Sequence, residues 1–201
     1  MTRTAGTVLV ADDDSGIRSL YQCWLGAFDE VRTAADGVAA LERLDGDVDV
    51  VVLDREMPGK DGVDVARELD RLELDPAVVM ISGVEPDVDL LDIPVDDYLR
   101  KPVTGEVVVE RVERAVAAAE SSPRHRRLVA LDTRRRVVEA AVPRHRFVDD
   151  PTYQRALERL DREGWTVDDA RVSVPPAADA TGEEPRATVG PFDAGSRDPR
   201  Q

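Results

Sequence analysis

Five short runs rich in β-branched residues, "TVLVA", "EVRTA", "DVVVL", "AVVMIS" and "DDYLR", punctuate the first 120 residues of the chain. The stretches between them, such as "GVAALERL" and "GVDVARELDRL", space their apolar residues as a helix does. A strand followed by a helix and then another strand returns to its sheet by a right-handed crossover. The pattern therefore predicts an α/β fold, a doubly wound, five-stranded parallel sheet with helices on both faces. Residues 47–53 and 77–81 are apolar almost throughout, as central strands buried on both faces must be. A closing helix is predicted over "TGEVVVERVERAVAAAE", with Thr104 as N-cap and Val108, Val112, Ala115 and Val116 on one face. One interval breaks the rhythm. "GVEPDVDLLDIPVDD" carries two prolines and has room for only a short or irregular fourth helix.

Composition changes after "SSP" at 121–123. "RHRRLVALDTRRRVVEAAV" places Leu128, Leu131, Val138 and Val142 at helical spacing, and Pro143 ends the run. "DDPTYQRALERLDREG" then restarts a helix, with Asp150 as N-cap, Pro151 at the first helical position and Gly164 as the stop. The expectation is a small helical hairpin. From Pro175 onward Pro, Ala, Gly, Asp and Glu dominate, which predicts a disordered tail. The divisions expected are 6–121 for the α/β domain, 124–174 for the helical region and 175–201 for the tail.

Acidic residues outnumber basic ones 42 to 27, for a net charge of −15, and Lys60 and Lys101 are the only lysines. That balance resembles the proteomes of salt-loving archaea. Its field repels nucleic acid and anionic membrane, so DNA binding would need a local basic patch. Residues 124–146 hold eight arginines against Asp132 and Glu139. A nucleic-acid contact competes there with a salt-bridged helical face, and the second reading is favoured because strong salt screens phosphate contacts. No helix-turn-helix pattern follows, and the aromatics of a stacking platform are missing. The single cysteine, Cys23, has no disulfide partner and is expected to be buried. "MTRTAG" leads into a run too short and too acidic for a signal peptide, and no run has the length to cross a bilayer, so a cytoplasmic protein is expected.

In a doubly wound sheet, ligands sit at the carboxyl ends of the strands where strand order reverses. Asp12, Asp13 and Asp14 end the first run, Asp54 ends the third, Ser82 ends the fourth, and Lys101 and Pro102 follow the fifth. In a chain so rich in aspartate, one carboxylate at a strand end is usually a solvated boundary. Several gathered at one edge repel one another unless something compensates them. Magnesium would do so, using Asp13, Asp54 and a backbone carbonyl just past Asp54, assigned to Glu56, with Asp12 helping through water. Asp54 could then attack a phosphoryl group while Lys101 pairs with one phosphoryl oxygen and the Ser82 hydroxyl bonds another.

Asp12-Asp13, "LDREMPGKDG", "ISG" and "YLRKP", in that order, resemble the flavodoxin-like receiver domain of two-component response regulators over about residues 7–120. The resemblance implies Asp54 as phosphoacceptor, Asp12 and Asp13 as magnesium ligands, Lys101 as the phosphoryl contact, and Ser82 with Tyr98 as the switch pair. It also implies a sensor histidine kinase as donor, and an output face that dimerises or meets a downstream protein when Tyr98 turns inward. Glu56 and Glu85 are expected to flank the pocket and influence phosphoryl lifetime. The segment from "LVALDT" to "LDREG" resembles the HalX domain that follows receivers in haloarchaeal regulators, which implies a two-helix module and no activity of its own. Three functions compete: a phosphorylation-controlled interaction protein, a DNA-binding transcription regulator, and a haloacid-dehalogenase-type enzyme. The last would want a second acid two positions beyond its nucleophile, a role that Glu56 in "LDREMPG" fits poorly.

Overall fold

The computed structural model describes residues 4–72, 74–119 and 121–165. The predicted alternation folds as β1 (Thr4–Ala11), α1 (Ser15–Trp24), β2 (Phe28–Ala34), α2 (Gly37–Glu42), β3 (Val50–Leu53), α3 (Gly62–Arg71), β4 (Ala77–Ser82), a 3-10 turn η1 (Val88–Asp92), β5 (Asp97–Arg100) and α4 (Gly105–Ala119). All strand pairings are parallel and the sheet order is β2-β1-β3-β4-β5. The chain steps from β1 to β2 on one side and returns to β3 on the other, so the reversal lies between β1 and β3.

Side chains alternate across a strand, and here both faces are covered. Val8, Val10, Val50, Val52, Val79 and Ile81 face α1 and α4, whereas Leu9, Val51, Leu53, Val78 and Met80 join the core on the opposite face. The expected face of α4 holds, with Val108, Val112 and Ala115 buried and Val116 packed beside them. Cys23 does not follow its expectation. It is exposed, because α1 turns Tyr21 and Leu25 inward and a residue two places from each points away.

The short fourth helix is realised as the 3-10 turn η1, capped by Asp87. What covers this part of the sheet instead comes from further along the chain: α5 (Pro123–Ala141), the single turn α6 (Arg144–Phe147) and α7 (Pro151–Arg162). The start and stop signals of α7 work as expected, with Asp150 accepting from Thr152 and Tyr153 and Gly164 at φ +69°. The structure departs from a free hairpin of two short helices. The first helix has 19 residues, an extra turn intervenes, and both α5 and α7 pack on η1. Leu128, Leu131, Val138, Phe147, Tyr153 and Leu160 belong to the same core as Met80, Leu90, Leu91 and Tyr98. The 3-10 turn is too short to bury that face, so the C-terminal helices complete it. The tail expected from 175 lies outside the described residues.

Candidate phosphoacceptor site

Strand register brings the acidic residues together. Ala11 lies opposite Leu53, so Asp12 and Asp54 leave the sheet side by side, and the Asp54 N–H donates to the Ala11 carbonyl at 2.8 Å. Ser82 lies opposite Arg100, which places Lys101 next, and the Lys101 N–H donates to the Ser82 carbonyl at 2.7 Å. The loop after Asp54 folds back tightly on α3. A Cβ at Gly62 would lie 2.1 Å from the Asp54 carbonyl oxygen, so only glycine permits that approach.

The side chains converge as expected. Lys101 Nζ donates to Asp12 Oδ2 at 2.8 Å and to Asp54 Oδ1 at 2.9 Å, and both carboxylates are buried while Asp13 is exposed. Carboxylate oxygens of Asp12, Asp13 and Asp54 lie within 4.8 Å of one another. Burial, followed by repulsion from Asp12 and Asp13, pushes the Asp54 carboxyl above its ordinary value despite the opposing pull of Lys101. Burial alone would lower the Lys101 ammonium, but its bonds to the two carboxylates outweigh that and hold it above the usual lysine range. One ammonium faces three carboxylates, two of them out of water. That donor set, hard oxygens with uncompensated negative charge and one open side at Asp13, suits a divalent cation such as magnesium.

The remaining residues divide. Asp14 is committed to capping α1, accepting from Gly16 and Ile17. The Glu56 side chain is exposed and stands outside the three-carboxylate group, so any part it takes in holding a metal falls to its backbone carbonyl. Glu85 is exposed and pairs with Arg100 at 2.9 Å. Ser82 is fully buried, its Oγ accepting from the Val84 N–H at 3.1 Å. Tyr98 is buried, and its hydroxyl donates to the Val84 carbonyl at 2.6 Å. Two arginines that the sequence did not mark also attend the site. Arg18 donates to the Asp12 carbonyl at 2.6 Å, and Arg55 reaches Asp89 of η1 at 2.6 Å.

Residues 8–113 match the family model of the response regulator receiver domain. The chain belongs to that family. A Haloferax volcanii protein described as a transcriptional regulator is 48% identical over 107 residues, 53% of this chain and 18% of its own length. The transcriptional regulatory protein AruR of Pseudomonas aeruginosa is 34% identical over 119 residues, 54% of this chain and 48% of its own. The chain thus spans less than half the length of either relative. The beryllofluoride-activated receiver domain of DrrB from Thermotoga maritima superimposes with a TM-score of 0.53 at 26% identity, over 57% of this chain and 99% of that domain. Its match to barely more than half of this chain reflects the receiver alone. Among the described residues, no helix of this receiver protein is long and apolar enough to cross a membrane.

Proposed function

We propose that this receiver accepts a phosphoryl group on Asp54 from the phosphohistidine of a sensor histidine kinase in the cytoplasm, and relays that event to its C-terminal helices. An Asp54 oxygen forms the new P–O bond while the P–N bond to histidine breaks, and the electron pair stays on the imidazole, which takes up a proton. The observation that carries the reading is Asp54 itself, buried at the strand-order reversal, bonded to Lys101 and grouped with Asp12 and Asp13. Asp12, Asp13, Asp54 and the Glu56 carbonyl would hold magnesium, which when bound neutralises charge on the transferring group. Lys101 sits to pair with a phosphoryl oxygen, and Ser82, whose oxygen accepts from Val84, keeps its hydroxyl hydrogen to donate to another. Self-dephosphorylation would be slow, and the chain would act as a phosphoacceptor rather than as an enzyme on external substrates.

The output reading is an interaction module. Residues 6–121 form the receiver and 124–174 a HalX-like region of haloarchaeal type, whose partner is a second copy or a downstream protein. The DNA-binding alternative loses support from its own arginines. Arg124 pairs with Glu163, Arg126 with Asp75, Arg135 and Arg136 with Asp132, and Arg146 with Asp87.

Intact mass after incubation with acetyl phosphate and magnesium in high salt tests the chemistry. A magnesium-dependent gain of one phosphate in the parent, missing from Asp54→Asn, is expected. No gain, or an equal gain in both, overturns the assignment.

A further inference from the structure

Away from the aspartate cluster, α5 and Arg159 of α7 border an open-sided pocket of about 440 Å³ whose other walls are the end of α3, the start of β4 and the loop from η1 to β5. Four arginines and four aspartates line it, but they are not matched. Asp75 is taken by Arg126, Asp92 by Arg155 from outside the cavity, and Asp96 accepts the Val78 N–H at 2.7 Å. Asp70, exposed at the rim, and the charge of Asp96, which an N–H bond does not neutralise, are left over. Among the described residues, Arg127, Arg134 and Arg159 have no carboxylate within ion-pair distance.

Arg134 is the anomaly. It is 8% exposed, its Nη1 donates to the carbonyls of Ile93 and Val95, and its Nε has no partner. Carbonyl dipoles satisfy donors but do not neutralise a buried guanidinium, which strongly favours an oxyanion partner. Burial depresses its pKa to about 10, and the nearby charge of Arg159 adds to the strain. Asp96 and, to a lesser degree, Asp92 oppose that shift, but neither pairs with the guanidinium directly: Asp96 accepts the Val78 N–H and Asp92 pairs with Arg155.

We propose that this cavity binds a small oxyanion, a carboxylate or phosphate carried by a compact metabolite, through Arg127, Arg134 and Arg159. Its volume falls within the range of about 300–1,000 Å³ typical of small-molecule sites, and exceeds what a halide needs. The ligand would tie α5 and α7 to the η1–β5 loop, so it would stabilise the docked C-terminal helices whether or not Asp54 is phosphorylated.

Thermal unfolding of the full chain at fixed ionic strength tests this. Inorganic phosphate is titrated in one arm and succinate in the other, against potassium chloride. A saturable rise of the midpoint in either arm is expected, and the responding arm identifies the headgroup. The double variant Arg127→Gln/Arg159→Gln changes only exposed residues and should weaken half-saturation at least tenfold. Arg134→Met should abolish the rise. No rise in either arm beyond that of chloride overturns the site. So does unchanged half-saturation in the double variant, because the rise would then come from elsewhere, such as the Lys101 pocket.

Discussion

Arg55 and Asp89 join the loop after β3 to the 3-10 turn: Arg55, the residue after Asp54, donates from Nη2 to Asp89 Oδ2 across 2.6 Å. The same turn is gripped from the other side, Asp87 by Arg146 of α6 and Asp92 by Arg155 of α7. Each pair is partly exposed and worth less than about 1 kcal/mol in stability. Their value lies in connection. Asp89→Asn is expected to leave the unfolding midpoint nearly unchanged, yet to shrink the change in amide-exchange protection that beryllofluoride produces in α5 and α7. An undiminished change would disconnect this pair from signalling.

Neutralising Asp54 should stabilise the protein. The Asp54 carboxyl is raised by burial and its acidic neighbours, so the folded state holds the proton more tightly than the unfolded chain does. Ionisation therefore costs stability as pH rises from the ordinary value of about 3.9 through the folded one. Without magnesium, Asp54→Asn is expected to melt higher than the parent at neutral pH. That gap should close as pH falls below the ordinary carboxylate range. Melting curves against pH check it, and a parent more stable at neutral pH reverses the sign.

Among the described residues, Lys101 is the only counter-charge bonded to both Asp12 and Asp54. Lys101→Met is expected to cost about 1–3 kcal/mol, less than a fully buried pair would, because the Lys101 side chain is 26% exposed. Magnesium should then raise the variant's midpoint more than the parent's, and adding Asp13→Asn should remove that gain. Equal gains in parent and variant would place the cation elsewhere.

Tyr98→Phe removes the hydrogen bond to the Val84 carbonyl while keeping the ring in the core. A loss of about 1 kcal/mol is expected in urea unfolding, with phosphate uptake at Asp54 retained. Loss of uptake would give the hydroxyl a role in the chemistry itself.

Ending the chain after Ser121 would strip Leu128, Leu131, Val138 and Tyr153 from a core they share with Met80 and Leu91. The full chain is expected to unfold in one transition, and the shortened one at a lower temperature with binding of a hydrophobic dye. Two separate transitions in the full chain would mark the helices as an independent unit.

Much of this was legible in the residues. Unbroken apolar strands and their polar ends fix the sheet, and parallel register then forces Asp12 beside Asp54 and Lys101 after Ser82. The fate of Cys23 was misread because a lone thiol says little by itself, whereas its position between Tyr21 and Leu25 on the helix decides its exposure. The docking of α5 was hidden for a different reason. Its buried side includes Asp132, Thr133 and Arg134, which a hydrophobicity pattern assigns to water. Arg55 acquires its meaning from Asp89, 34 residues away, and no local spacing signals such a pair.

Response regulators are often pictured as modules, a switch followed by an interchangeable output. The truncated fourth helix argues against that for this chain. Because α5 and α7 finish the receiver's own core over η1, another output module grafted on at residue 121 would leave a bare apolar face. The receiver and the C-terminal helices here share one interior, and a folded chimera would have to carry these helices along with the sheet.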